Sequence, residues 1–145
     1  MIIIDLIHGP NLNRLGERES HLYGSMTLNA LNERMQQKAS AQKARLLTFQ
    51  SNHEGALIDY IHEAPKRGVH HIIFNPAAFT HTSIALRDAL LSIATPFIEV
   101  HITNLSSREQ FRQCSYFSDI AQGVISGFGV HGYLLALEAI LQSSF

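Results

Sequence analysis

The sequence predicts a doubly wound α/β domain in which helices cover both faces of a parallel β-sheet. Short apolar runs alternate along the chain with stretches whose apolar residues recur at helical spacing. Polar side chains follow several of these runs directly, where the carboxyl ends of parallel strands would meet. With 145 residues, 46% hydrophobic and 16% charged, the chain is expected to form one globular domain spanning residues 1–145.

Five runs are predicted as strands. The first is apolar along nearly its whole length, which is typical of a strand buried on both faces of a parallel sheet. The predicted strands are, in chain order, Ile2–Ile7, Leu46–Phe49, Val69–Phe74, Phe97–His101 and Gly123–Ser126. Five such strands alternating with helices at this length favour a flavodoxin-like three-layer sandwich with the strand order 2-1-3-4-5.

Helical spacing predicts a helix after each of the first three strands and another after the fifth. Thr27 is expected to cap a helix that runs to about Gln42. Ser51–Glu54 has the pattern of a capping box and is expected to open the second helix, which ends at Pro65. The third follows the polar loop that ends at Ser83, and the last follows a glycine-rich stretch.

Charge and cysteine content limit the classes of function. A net charge of −1 and a pI near 6.7 provide no basic surface for nucleic acid or for a membrane. The single cysteine, Cys114, cannot form an internal disulfide, and no apolar stretch approaches the roughly 20 residues that span a bilayer. We therefore expect a soluble, cytoplasmic protein that binds a small molecule.

The loop Gly9–Gly24 is longer than the roughly 2–6 residues that usually connect a strand to a helix. It carries amides such as Asn11, guanidiniums such as Arg18 and the phenol of Tyr23. Tyr23 is a candidate general base if Arg18 folds back against it, because a nearby cation favours the phenolate. Without that partner Tyr23 is only a loop aromatic residue. The loop is predicted to form half of an active site.

A second polar loop, Asn75–Ser83, follows the third predicted strand. The amide of Asn75, the imidazole of His81 and several hydroxyls would suit a polyhydroxylated or anionic ligand beside a helix N-terminus. The alternative is that Asn75 opens a turn and that a hydroxyl of Thr80, Thr82 or Ser83 caps the next helix. Because polar side chains occur in three loops at one sheet edge, a ligand-binding site is favoured over this alternative.

Glu99 and His101 lie two residues apart on the fourth predicted strand and therefore share a face. The carboxylate can bind one imidazole nitrogen, fix the tautomer and support the protonated ring. That arrangement suits a general acid. The alternative is a histidine paired with a carboxylate for packing only.

Arg108 and Arg112 lie four residues apart, on one face of a short helix predicted around Ser107–Phe111. There they could bind a carboxylate or hydroxyls. The alternative is a solvated basic face paired with Glu109.

The sequence lacks the residues that several kinds of catalysis and cofactor binding need. The lysines Lys38, Lys43 and Lys66 fall on or beside helices away from the polar loops, which argues against a Schiff base. There is no glycine-rich fingerprint for a dinucleotide or a P-loop nucleotide, and the nine histidines form no metal-binding motif. We expect neither a cofactor nor a metal.

The chain from Ile2 to about Leu141 resembles the type II 3-dehydroquinate dehydratases (type II dehydroquinases). The motifs that carry this resemblance are GPNLNRLGERE with HLYG, QSNHEGALIDYIHEA, FNPAAFTHTS with IALRDAL, PFIEVHITN, SREQFRQCSYFSDIA and GVISGFGVHGYLLALEA. The resemblance implies a flavodoxin-like fold, a dodecamer built as a tetramer of trimers, and cofactor-free dehydration of 3-dehydroquinate to 3-dehydroshikimate. It does not distinguish between two pathways that use this reaction, biosynthesis of aromatic amino acids through the shikimate pathway and quinate catabolism.

The resemblance also implies roles for individual residues. It implies that Tyr23 is the general base activated by Arg18, that His101 is the acid held by Glu99, and that Asn11 positions a water that stabilises an enolate. The residues that match substrate-binding positions are Asn75, His81, Arg112, Ile102 and Thr103, the last two through their backbone, and Asp88, which reaches a neighbouring subunit's site.

The sequence departs from the family pattern at four places. The departures are His8 for a common Asn, Phe79 for Tyr, Thr103 for Ser and Ser106 for His. Loss of a hydroxyl and an imidazole near the site is expected to change substrate affinity. None of the four removes a residue assigned to proton transfer.

Two other classes of function fit the same fold. A binding module could hold FMN or another phosphate ligand at the same switch point, and would be yellow with FMN bound. An interaction domain could use its last helix and the Ser143–Phe145 tail, but the long polar loop would then have no role. Both are ranked well below the dehydratase.

Overall fold

The computed structural model describes residues 1–17, 21 and 25–142. Within them five parallel strands form one sheet with the order β2-β1-β3-β4-β5. The strands are β1 (Ile3–His8), β2 (Arg45–Gln50), β3 (His71–Asn75), β4 (Phe97–His101) and β5 (Gly123–Ser126). The predicted flavodoxin-like sheet and its strand order are confirmed.

Four α-helices of the described residues cover the sheet. They are α1 (Leu28–Ala41), α2 (Glu54–His62), α3 (Ile84–Leu91) and α4 (His131–Leu141). Residues of α1 and α4 share one buried apolar cluster with β1, β3 and β4, and residues of α2 and α3 share the other. The three layers and helices on both faces therefore agree with the prediction. Among the described residues, no helix is long and apolar enough to span a membrane.

The observed strands extend farther toward the site than the apolar runs. The first ends at His8 and the third at Asn75, each one residue beyond its predicted end. His8 is paired in register with Gln50 on one side and with Asn75 on the other. Because backbone pairing does not depend on side-chain polarity, these polar residues belong to the sheet. They bring three polar side chains to one edge.

Two of the predicted helix starts have the expected cap, and one is wrong. Thr27 Oγ1 accepts a hydrogen bond from the Ala30 amide at 3.2 Å, and Ser83 Oγ accepts one from the Leu86 amide at 2.9 Å. Ser51 instead accepts from the amide of His53 at 3.0 Å, and α2 begins at Glu54. The predicted capping box is absent: the Ser51 amide donates to the His8 carbonyl at 3.2 Å, and the Glu54 carboxylate accepts a hydrogen bond from Ser83 at 2.5 Å.

Asp5 is a fully buried charge in the middle of β1, and its partners lie on the α2 side of the sheet. Arg67 Nη2 lies 2.6 Å from one carboxylate oxygen, and the Tyr60 hydroxyl donates to the other at 2.7 Å. The guanidinium also lies 3.6 Å from the centre of the Tyr60 ring. Since a buried carboxylate is tolerated when it is paired and hydrogen-bonded, these contacts explain the charge within an apolar strand.

Candidate active site

A cavity lies beyond the carboxyl ends of β1, β3 and β4, where such folds bind ligands. The residues expected at the site that line this cavity are Asn11, Asn75, His81, His101, Ile102, Thr103 and Arg112. Glu99 lies behind His101 and is fully buried. Asp88 lies on α3, outside the described residues that line the cavity. Arg18 and Tyr23 lie outside the described residues.

The loops after β1 and β3 touch at Gly9. The Gly9 amide donates to the Asn75 carbonyl at 2.8 Å, and a Cβ at position 9 would stand 2.3 Å from the Pro76 carbonyl oxygen. Any larger residue would force the two loops apart, since real Cβ contacts do not approach so closely. Glycine at this position therefore lets both loops line one cavity.

Asn11 adopts the left-handed backbone conformation, with φ of 69°. Its backbone N–H donates to Asn52 Oδ1 at 2.9 Å, and Gln50 Nε2 donates to the Gly9 carbonyl at 3.1 Å. Asparagine tolerates this conformation better than most residues, and the two contacts hold the turn in it. Sequence reasoning missed Gln50 and Asn52. The available signal was their place at the carboxyl end of β2, where Gln50 is the last residue of the strand and Asn52 follows it.

Asn75 is buried, and its side-chain amide is held at both ends. Its Oδ1 accepts from the Ala77 amide at 3.0 Å, and its Nδ2 donates to the Tyr133 hydroxyl at 2.7 Å. Asn75 therefore both forms the expected turn and lines the cavity. Burial raises the pKa of Tyr133, against the lowering effect of the Asn75 hydrogen bond. This phenol stays protonated and is a poor base.

His81 has one ring nitrogen committed to the backbone. Its Nδ1 lies 2.7 Å from the Cys114 carbonyl oxygen, so Nδ1–H donates and Nε2 carries the lone pair of the neutral ring. Burial lowers the pKa of His81 and outweighs the Cys114 hydrogen bond, with further lowering by the charges of His101, Arg112 and Arg108. The ring is therefore neutral at pH 7 and can accept a hydrogen bond from a ligand hydroxyl.

His101 and Glu99 form the hydrogen bond that their spacing on β4 predicts, from His101 Nε2 to Glu99 Oε2. Ser115 and Ser118 add two more donors to Glu99, each at 2.7 Å. Burial alone would raise the pKa of Glu99, but the hydrogen bonds and the imidazolium charge hold it below its usual range. An ionised carboxylate therefore stands behind the imidazole. Sequence reasoning missed both serines, since they lie in an irregular segment.

The short helix predicted around Ser107–Phe111 is wrong. The chain forms two 3-10 turns there, Leu105–Ser107 and Gln110–Arg112, with Arg108 extended between them. Arg108 and Arg112 nevertheless both line the cavity. Each also lies 3.3 Å from the carboxylate of Glu109, so the expected pairing with this residue occurs as well. The guanidiniums place positive charge at the cavity and suit an anionic ligand.

Thr103 lines the cavity at the end of β4, and its side-chain oxygen is already in a hydrogen bond. Arg108 Nη1 donates to Thr103 Oγ1 at 3.0 Å, and Ser126 Oγ donates to the Thr103 carbonyl at 3.0 Å. The Ser106 amide donates to Asn104 Oδ1 at 3.2 Å, which closes the following turn.

Phe79 packs partly buried against the cluster under α2 and α3. Its apolar ring therefore serves that cluster.

His8 is fully buried at the end of β1, next to the cavity loop. Its Nε2–H donates to Asn32 Oδ1 at 2.8 Å, and its ring centre lies 5.7 Å from that of Tyr133. Burial lowers the pKa of His8 to about 4, against the raising effect of the Asn32 hydrogen bond. The His8 ring is therefore uncharged in the folded protein at neutral pH.

This buried histidine predicts a loss of stability in acid. Between its ordinary pKa of 6.5 and its folded pKa of about 4 the unfolded chain binds the proton more readily, so stability falls as pH falls through this window. The loss attributable to His8 approaches about 3 kcal/mol. We expect His8→Asn to remove this part of the slope when urea unfolding is measured from pH 7 to pH 4. His62→Asn, at an exposed position, should keep it. An unchanged slope in His8→Asn would contradict this assignment.

Among the described residues, no group of three His, Cys, Asp or Glu side chains is placed to hold a metal ion. The polar atoms around the cavity are instead amides, imidazoles, guanidiniums and backbone groups. Such a set matches hydroxyls and carboxylates. The geometry is therefore that of a site for a small, oxygen-rich anion.

Comparison with known proteins agrees with this picture. The family model of dehydroquinase class II matches residues 2–141. The chain is 58% identical over 139 residues to a 3-dehydroquinate dehydratase of Hahella chejuensis, covering 96% of this chain and 95% of that one. It is 58% identical over 137 residues to a 3-dehydroquinate dehydratase of Legionella pneumophila, covering 94% of each.

Solved structures show the same similarity. A type II dehydroquinase from Propionibacterium acnes superposes with a TM-score of 0.94 at 36% identity, covering 99% of this chain and 98% of that one. A type II dehydroquinase from Butyrivibrio crossotus gives a TM-score of 0.94 at 42% identity and covers 98% of both chains. On the match of the family model and the identity to these relatives, the chain belongs to the class II dehydroquinase family.

Proposed function

We propose that this protein is a 3-dehydroquinate dehydratase, a hydro-lyase that removes water from 3-dehydroquinate to give 3-dehydroshikimate through an enolate. The family match and the 58% identity to two 3-dehydroquinate dehydratases support the reaction. The observation that carries the chemistry is the cavity imidazole of His101, hydrogen-bonded to the buried, ionised Glu99.

His101 is the proposed general acid. Elimination of water requires a proton for the departing hydroxyl, and an imidazolium is the side chain best suited to supply one near neutral pH. The hydrogen bond of Nε2 to Glu99 directs the opposite nitrogen, Nδ1, away from the carboxylate. The negative charge of Glu99 supports the protonated ring before transfer. After transfer, the same hydrogen bond keeps the neutral ring in place.

Tyr23 is the proposed general base, and Arg18 is proposed to favour its phenolate. The reaction takes a proton from the carbon next to the ketone, and the electron pair moves into an enolate. Asn11, which lines the cavity, is proposed to position a water that stabilises the enolate oxygen. Fixed dipoles of this kind lower the barrier because they are already oriented when the charge develops.

The remaining cavity groups are proposed to bind the substrate. Asn75, His81 and Arg112 would contact hydroxyls and the carboxylate, and the backbone at Ile102 and Thr103 would bind the carboxylate. The guanidiniums at the cavity favour this charge placement. Asp88 is proposed to reach the site of a neighbouring subunit in a trimer, with four trimers forming a dodecamer in the cytoplasm. The chemistry serves aromatic biosynthesis and quinate catabolism equally.

The test is the ultraviolet absorbance of purified protein mixed with 3-dehydroquinate. Dehydration creates a conjugated enone, so absorbance is expected to rise with time. The rise should survive prior treatment with chelator. It should also survive incubation with substrate and borohydride together, followed by removal of both, because the proposed route uses neither a metal nor a Schiff base. Folded protein that produces no rise would overturn the proposed reaction. Loss of the rise after chelator would overturn the metal-free route, and loss after incubation with substrate and borohydride would overturn the route without a Schiff base.

A further inference from the structure

Ser115 and Ser118 hold the carboxylate that supports the proposed acid. Ser115 Oγ donates to Glu99 Oε2 at 2.7 Å, and Ser118 Oγ donates to Glu99 Oε1 at 2.7 Å. With the hydrogen bond from His101 Nε2, the two oxygens of a fully buried carboxylate accept three hydrogen bonds. A carboxylate that accepts from several donors is fixed in rotation about its own axis as well as stabilised in its ionised form.

The segment that carries both serines, residues 114–119, is itself anchored. The fully buried ring of Phe117 packs edge-on against Phe74 at a centroid distance of 5.7 Å, and its amide donates to Ser115 Oγ at 3.0 Å. Arg87 of α3 binds both carboxylate oxygens of Asp119, at 2.5 and 2.9 Å. These contacts hold the segment that carries the two hydroxyls in place independently of Glu99.

We propose that Ser115 and Ser118 are positioning residues for the acid step, which keep Glu99 ionised and oriented toward His101. This inference rests on the proposed function, since it assigns a device to the same site. The serines need not contact substrate, because their hydroxyls act through the carboxylate. Without them, the carboxylate loses two donors, and the orientation of the imidazole is less strictly determined.

Apart from His101, Ser115 and Ser118 are the main contacts of Glu99 that substitution can test. Its register neighbours on the flanking strands, Phe74 of β3 and Val124 of β5, are apolar. The charged group that acts on Glu99 among the described residues is the imidazolium of His101. Among the other charged groups of the cavity, Arg108 and Arg112 lower the pKa of His81 together with His101.

The first test uses Ser115→Ala, Ser118→Ala and the double variant. Each single change is expected to lower kcat about tenfold with KM nearly unchanged, which corresponds to the loss of one hydrogen bond to a charged group. Ser92→Ala is the matched control, because this hydroxyl donates to the Ala89 carbonyl at the end of α3. The control is expected to keep the wild-type kcat.

The second test measures the carboxyl group directly by 13C NMR of protein labelled at glutamate side chains, with Glu99→Gln identifying the Glu99 signal. Removing each serine is expected to move the titration of this signal upward by about one pH unit, because a lost donor destabilises the carboxylate. Ser115→Thr and Ser118→Thr retain a hydroxyl, and both are expected to restore kcat and the wild-type titration. A purely structural role would lower the melting temperature without moving this titration.

Three outcomes would overturn the inference. They are wild-type kcat in the folded double variant, an unshifted Glu99 titration, and loss of the fold in both single variants, which would make the serines structural. Failure of the proposed function is distinguishable, because the wild-type protein would then produce no enone, while the NMR titration would still report on the serines.

Discussion

Replacing His101 with alanine is expected to lower kcat for dehydration of 3-dehydroquinate about 10³-fold, with a much smaller change in KM. A positioned acid typically contributes 10²- to 10⁴-fold, and no described neighbour can take over this proton transfer. His81, in the same cavity, has a lowered pKa and commits Nδ1 to the Cys114 carbonyl, so it is a poor substitute. Steady-state kinetics with the enone assay measures the effect.

Two companion variants make this test specific. Glu99→Gln preserves the shape of the side chain but removes its charge, so we expect a smaller loss of kcat than in His101→Ala. His62→Ala, at an exposed position on α2, is the control and should keep wild-type kinetics. Near-wild-type kcat in folded His101→Ala would contradict the assigned acid and leave the cavity without its proposed proton donor.

The fold was predictable because β1, β3 and β4 are mostly buried and carry apolar runs, and because these runs alternate with helical spacing along the chain. Prediction was less accurate at strand ends, where His8 and Asn75 continue the backbone pairing although their side chains are polar. The same limit explains the missing capping box, since the amide of Ser51 and the carboxylate of Glu54 have partners distant in sequence, the His8 carbonyl and Ser83. Local pattern shows which bonds a segment can form, but not the competing contacts brought by the fold.

The candidate site was predictable to the extent that its residues follow strands. Parallel strands present their carboxyl ends at one edge, so Asn11, Asn75 and His101 could be placed together from the sequence. Ser115 and Ser118 could not, because they lie in an irregular segment and reach Glu99 across 16 and 19 residues of chain. Such contacts depend on how the segment is anchored in the core, which no periodicity records.

The assignment of the base is tested by Tyr23→Phe, which keeps the ring and removes the hydroxyl. Of the four tyrosines in the sequence, Tyr60 and Tyr133 are poor bases. Burial raises the pKa of both, and the hydrogen bond to Asp5 raises that of Tyr60 further. Tyr23 follows Arg18 by five residues in the sequence, in the stretch predicted as a long polar loop. We therefore expect Tyr23→Phe to lower kcat about 10²- to 10⁴-fold with little change in KM.

Arg18→Ala should reveal whether the base acts as a phenolate. If the guanidinium favours the ionised form, its removal raises the pKa of the base, so the acidic limb of the kcat profile moves to higher pH and activity is partly recovered in alkaline buffer. Tyr116→Phe is the control for loss of a phenol and should leave both kcat and the profile unchanged. Near-wild-type turnover in Tyr23→Phe would rule out this base. A large loss in Arg18→Ala with an unshifted limb would instead assign the arginine to substrate binding, and the phenolate would then form without help from Arg18.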